Sequence, residues 1–183
     1  MKPLKILLIH PQNYLHSCRT GIYKRVGGYV PLTMPTLAGL IPKDIATEVR
    51  IVNEMVEPVD TRLDADLVGI TALTGTALRA YEIAAAFRRK GTTVILGGIH
   101  PTLMPEEAAL HADSVVSGLA EQTWPQLLRD FVNGRLKRSY YQDDEYSFSG
   151  FPPPRRDLIK TGICMLGNTF ELTRGCVHQC EFC

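Results

Sequence analysis

DLVGITALTGTALRAYEIAAAFRRKGTTVILGGIHP, residues 66–101, decides the fold of this chain. Its two ends, DLVGIT (66–71) and TTVILGG (92–98), are short apolar runs without a polar face, as strands covered on both sides are. Between them the period changes. Thr76 stands where a helix cap belongs, Leu78, Tyr81 and Ala85, with Ala84 and Phe87 around the same side, form the expected apolar stripe, and Arg88, Arg89 and Lys90 suit the negative helix end. Gly91 can take the left-handed conformation that closes a helix. Strand, helix, strand in this order is the repeating unit of a parallel sheet.

The same pattern extends outward. LKILLI (4–9), EVRIVN (48–53) and SVVSG (114–118) read as further strands, and helices are expected near 35–41, 105–112 and 123–133, the last with Pro125 in its first turn. The fold class expected is α/β: a doubly wound, five-stranded parallel sheet, flavodoxin-like (Rossmann-like), with strand order 2-1-3-4-5. Residues 11–33 make a long Gly- and Pro-marked loop expected to cover something. After Gly134 the text turns polar, aromatic-spotted and proline-interrupted, so the domain is expected to span 1–134, with a linker over 135–168 and a separate beginning at 169–183.

Composition narrows the class. The 183 residues are 45% hydrophobic, enough for a core, and 20 Lys plus Arg face 19 Asp plus Glu. That balance supplies no basic field, so nucleic acid is not an expected partner. No apolar run approaches the ~20 residues of a membrane span, and MKPLKILLIH reads as a strand rather than a leader, which points to the cytoplasm. Five cysteines, three of them within CVHQCEFC (176–183), suit a metal or redox site better than a disulfide framework. Zinc completed by His178 or Cys164, and free thiols, are the rival readings of that row.

In open α/β sheets ligands bind beyond the carboxyl ends of the strands. Those ends collect His10, Gln12, Asn13, Glu54, Thr71, Leu73, Thr74, Gly97, Gly98, His100, Pro101 and Gly118. Gly97-Gly98 either lets a flat group approach the backbone or merely makes a tight turn, and Thr71 and Thr74 offer hydroxyls nearby. His100 reads as a polar contact or a turn residue rather than a metal ligand, and His10 likewise. Asp143-Asp144-Glu145 reads as a solvated charge run.

These residues resemble one family, the cobalamin-dependent radical S-adenosylmethionine enzymes. Thr71-Ala72-Leu73 resembles the family's S-x-L segment, Gly97-Gly98 follows at a spacing of 26, and GLAEQTWPQLL, FPPPRRDL and the C-x3-C-x2-C row of CVHQCEFC are similar to its later segments. The resemblance implies a cobalamin held with its benzimidazole tail displaced into a slot beside Gly97 and Gly98, its lower face against the loops after Asn13 and Leu73. The cofactor contacts it implies are Gln12, Asn13, Thr71, Leu73, Thr74, Gly97, Gly98, His100, Pro101, Gly118 and Glu121. It further implies a [4Fe-4S] cluster on Cys176, Cys180 and Cys183, whose open iron binds S-adenosylmethionine and yields a 5′-deoxyadenosyl radical for methyl transfer. One departure is plain: no Asp stands two residues before any histidine, so the D-x-H-x-x-G ligand motif of some cobalamin proteins is missing, and the lower face of cobalt is expected to be free of histidine. The chain is expected to be the front part of such an enzyme, without its barrel, inactive alone and without catalytic residues of its own. A stand-alone cobalamin-binding or carrier module, and a flavodoxin-like domain for another flat cofactor, are the alternatives.

Overall fold

The computed structural model describes residues 2–12, 31–142, 150–160 and 169–172. Six strands form one sheet: β1 (Leu4–His10), β2 (Thr47–Asn53), β3 (Leu67–Thr71), β4 (Thr93–Gly97), β5 (Ser114–Gly118) and β6 (Ser139–Gln142). Their order is β2-β1-β3-β4-β5-β6 and every pairing is parallel. The helices are α1 (Thr33–Gly39), α2 (Ala77–Arg88), α3 (Ile99–Leu103), α4 (Pro105–His111) and α5 (Thr123–Val132). The doubly wound order expected for the first five strands is the observed one. Among the described residues no helix is long and apolar enough to cross a membrane.

Alternation along the strands sorts the core onto two faces. Leu7, Ile9, Val68, Ile70 and Leu96 point to one side, where Ala80, Ala84 and Phe87 of α2 cover them. Ile6, Leu8, Leu67, Ile95 and Val116 point to the other, against Met34 and Ala38 of α1 and Trp124, Leu127 and Leu128 of α5. Both faces are covered, which is why the strands carry no polar period.

Two expectations need correction. Among the described residues the sheet has six strands rather than five: SYYQ in the expected linker pairs with β5, and its burial alternates, Tyr140 and Gln142 inward, Ser139 and Tyr141 outward. The Tyr140 hydroxyl donates to Asp130 (2.9 Å) and accepts the Lys137 amide (3.1 Å), tying the edge strand to α5. The apolar stripe of α2 is also rotated. Leu78 is 79% exposed and Ala85 is exposed, whereas Ala77, Ala80, Tyr81, Ile83, Ala84 and Phe87 are buried, so that small alanines bring the helix close to the sheet. After β4 the chain turns at Gly98 directly into α3.

The segment 150–160 packs back on the domain. The Arg155 amide donates to the Pro35 carbonyl (2.9 Å), a Cβ on Gly39 would lie 2.8 Å from the Pro153 carbonyl oxygen, and Lys160 pairs with Glu57 (2.6 Å). Phe151 and Leu158 join the core on the α1 and α5 face.

Candidate functional site

On the α1 and α5 face the inward positions shrink toward the carboxyl ends of the strands. β3 reads Leu67, Gly69, Thr71; β4 reads Ile95, Gly97; β5 reads Val116, Gly118. The register sets Gly69 beside Ile95, Thr71 beside Gly97, and Gly97 beside Val116, so the small residues are neighbours across three strands. Below them the core is filled. Above them lies a cavity of about 620 Å³, walled by the sheet, by Met34, Leu37 and Leu40 from α1 and its end, and by Trp124 of α5. That volume falls within the ~300–1,000 Å³ of small-molecule pockets.

Three glycines shape the cavity differently. A Cβ on Gly69 would meet Leu8 Cδ2 at 3.0 Å and the Trp124 ring at 3.4 Å, so the indole lies directly over a bare stretch of strand. A Cβ on Gly97 would find nothing nearer than the Val116 carbonyl oxygen at 3.5 Å; the space it would enter is the cavity. Gly98 has φ +102° and would put a Cβ 2.7 Å from Thr71 Oγ1 and 2.9 Å from the Ala72 carbonyl oxygen, so it is fixed by the chain itself.

The mouth is laced by hydrogen bonds. The Ala72 amide donates to the Gly97 carbonyl (2.8 Å) and the His100 amide to the Ala72 carbonyl (3.0 Å). Thr102 Oγ1 donates to the Gly98 carbonyl (2.8 Å) while accepting the Gly118 amide (2.9 Å), bridging α3 to β5. Glu121, 5% exposed, also lines the cavity, and its Oε2 accepts the Ala120 amide (3.0 Å). Around this mouth Leu73, Ile99, Leu103 and Met104 are 41–57% exposed, an apolar rim suited to a flat ring.

Beside the mouth, Glu54 at the end of β2 is 6% exposed and receives Arg79 Nη2 of α2 (2.6 Å) and the Gln12 amide (3.0 Å). It ties the chain leaving β1 to the first turn of α2. His10, at the end of β1, is largely buried; burial lowers its pKa below the usual 6.5 and its Nδ1 has no partner, so the ring is held neutral. His100 is 6% exposed and its Nε2 lies 2.9 Å from the Tyr81 hydroxyl. That hydroxyl donates to Glu107 (3.0 Å), which leaves His100 Nε2 as the donor of the pair. Burial and Glu107 push the Tyr81 hydroxyl up to about 12, and His111 stacks on its ring at 3.8 Å.

Of the residues expected from sequence, Thr71, Leu73, Gly97, Gly98, Gly118 and Glu121 line the cavity. Gln12, Thr74, His100 and Pro101 are not among the described residues lining it: Gln12 is held by Glu54, Thr74 opens a 3-10 turn, His100 is turned to Tyr81, and the Pro101 carbonyl accepts Ser117 Oγ (3.2 Å). Asn13, Cys176, Cys180 and Cys183 lie outside the described residues, among which no group of three or more His, Cys, Asp or Glu is placed to hold a metal. Sequence reasoning missed Gly69, Trp124 and the α1 wall. Gly69 interrupting an apolar strand was the available signal.

Residues 43–128, which include β2 to β5 and the start of α5, match the family described as "B12 binding domain". The chain is 42% identical over 132 residues to the bacteriochlorophyllide d C-8(2)-methyltransferase of Chlorobaculum tepidum, covering 66% of this chain and 28% of that protein. The C-12(1)-methyltransferase of the same organism is 32% identical over 127 residues, covering 64% and 27%. An uncharacterized methyltransferase of Pyrococcus horikoshii is 28% identical over an alignment covering all of this chain and 46% of its own length. The chain therefore spans between about a quarter and a half of these relatives.

Proposed function

We propose that the B12-binding domain of this chain holds cobalamin, its nucleotide tail displaced from cobalt and lodged in the cavity between the sheet and helices α1 and α5. We propose further that the chain is the front portion of a radical S-adenosylmethionine methyltransferase, acting in the reducing cytoplasm. The observation that carries the first part is the cradle: Gly97 has unfilled space on its Cβ side, and Gly69 lies bare beneath Trp124. The mostly apolar lining fits the planar base of such a tail.

Bound cobalamin supplies a cobalt that can accept and release a methyl group. The chain's own residues bind and orient it. Gly97 opens the slot, Gly69 makes room for the Trp124 ring that walls it, Met34, Leu37 and Trp124 exclude water, and the Thr71 hydroxyl offers a hydrogen bond where the slot meets the rim. Leu73, Ile99 and Leu103 give the ring an apolar rest. The absence of D-x-H-x-x-G from the sequence, the burial of His10 and the contact of His100 Nε2 with Tyr81 support a cobalamin that would be held without a histidine ligand. Cys176, Cys180 and Cys183 are the proposed thiolates of a [4Fe-4S] cluster with one open iron. Support for methyl transfer comes from the names of the relatives, two of which methylate bacteriochlorophyllide d.

The test is anaerobic reconstitution with cobalamin, iron and sulfide, followed by gel filtration and optical spectroscopy. Retained cobalamin with a spectrum free of histidine ligation is expected. Loss of cobalamin on the column, or a histidine-ligated spectrum, refutes the binding mode. Retained cobalamin without iron and sulfide leaves a cobalamin-binding module and refutes the cluster.

A further inference from the structure

The depth profile of the slot carries information about what its occupant is. α1 begins at the carboxyl end of the sheet and runs down the face, so Thr33 and Thr36 of its first turn stand toward the mouth and Leu37 and Leu40 below them. Thr71, Gly118 and Glu121 belong to the strand ends, again at the mouth. Deeper, one inward position below the level that Thr71, Gly97 and Val116 share, the lining is Gly69, Ile95, Leu37, Leu40 and Trp124. None of these offers a free polar group. The Trp124 Nε1 is fully buried without a partner, and hence turned away from the accessible space. The backbone groups of Gly69 and Ile95 belong to the sheet ladder. Of the hydroxyls, that of Thr102 is already engaged on both sides.

Resting on the cobalamin reading, we propose that this slot selects the base of the nucleotide tail: it accepts a benzimidazole and rejects a purine. A benzimidazole presents an apolar edge to the deep walls and keeps its single free ring nitrogen as its only unsatisfied ring acceptor. An adenine of similar width brings an exocyclic amine and several ring acceptors. Placed against Ile95, Leu37 and Leu40 these lose their water without gaining partners, and one such unpaired group weakens binding by roughly ten- to a hundredfold. Polar walls hold a purine; these walls are apolar.

The experiment is equilibrium titration of the chain, followed optically, with three corrinoids that share one ring: cobalamin, its adenine-tailed counterpart, and cobinamide, which has no nucleotide. Cobalamin is expected to bind most tightly, with the adenine form at least about tenfold weaker. Ile95→Thr, which sets a hydroxyl in the deep wall, is expected to narrow that ratio, with its melting temperature recorded as a check of folding. Equal or tighter binding of the adenine form overturns the proposal, placing a partner such as Glu121 within reach of the ring, and leaves the cobalamin reading intact. Equal binding of all three corrinoids shows that the tail is not held in the slot and overturns it as well. Binding of none removes the cobalamin reading and this inference with it.

Discussion

Two adjacent glycines should respond to the same substitution in opposite ways. In Gly98→Ala the new methyl meets Thr71 Oγ1 at 2.7 Å and the Ala72 backbone at 2.9–3.0 Å, on a residue with φ +102°. The backbone conformation costs ~1–3 kcal/mol for a residue with a Cβ. The contact with backbone, which cannot swing aside, adds ~1–3 kcal/mol. A loss of about 4 kcal/mol follows, and for a chain of this size a melting temperature lower by roughly 8–16 °C. In Gly97→Ala the methyl finds its nearest neighbour at 3.5 Å and the backbone is not in the left-handed region. Stability should hold or rise by ~0.4–1 kcal/mol, because the unfolded chain loses freedom. Cobalamin binding should nevertheless weaken, by ~1–3 kcal/mol if the methyl overpacks the slot, or about 5- to 150-fold in Kd. Thermal melting and optical titration of both variants separate the two roles. A Gly97→Ala protein that melts like Gly98→Ala, or binds cobalamin as the parent does, refutes the assignment of that space to the ligand.

Glu54→Ala should cost about 2 kcal/mol in urea unfolding, because the Gln12 amide loses its acceptor while Arg79, 42% exposed, is re-solvated at little cost. Tyr81→Phe removes the hydroxyl that His100 Nε2 meets at 2.9 Å, leaving only the Glu107 carboxylate at 3.5 Å, and should cost ~1–2 kcal/mol by the same measurement. His10 gives a pH signature. Its folded pKa lies below 6.5, so its stabilising contribution is complete above pH 6.5 and is lost as pH falls from there through the folded pKa, where the unfolded chain takes up the proton first. The stability of His10→Gln, measured across pH 7 to 5, should fall less steeply than that of the parent.

The central strands were legible because burial on both faces leaves an unmistakable apolar run. β6 was not, since in SYYQ the inward Tyr140 and outward Tyr141 are the same residue type and the alternation is written only in which face is covered. Leu78 misled for a related reason: Ala77, one position earlier, and Ala80 and Ala84 belong to the buried face of α2, and a large apolar residue on a surface helix is ordinary. At the site, Gly97-Gly98 could be read because strand ends are where ligands bind in this architecture. The pairing of Gly69 with Trp124, 55 residues apart, exists only once α5 lies over β3. His100 stood in the right place along the chain, yet α3 turns it toward Tyr81.

The parallel strand order also sets a sequence of events in time. Closing β4 on β5 joins Ile95 to Ser114, 19 residues apart, β5 on β6 joins positions 24 apart, and β3 on β4 joins positions 26 apart. Setting β1 beside β3 joins Ile6 to Leu67 across 61 residues, an entropic handicap of about 0.8 kcal/mol relative to the β3–β4 closure. β1 is the strand whose two neighbours must both be recruited from afar, across 43 and 61 residues. The three strands that carry the small residues can thus assemble among themselves before the middle of the sheet is complete, and a slow refolding phase should report on β1 rather than on them.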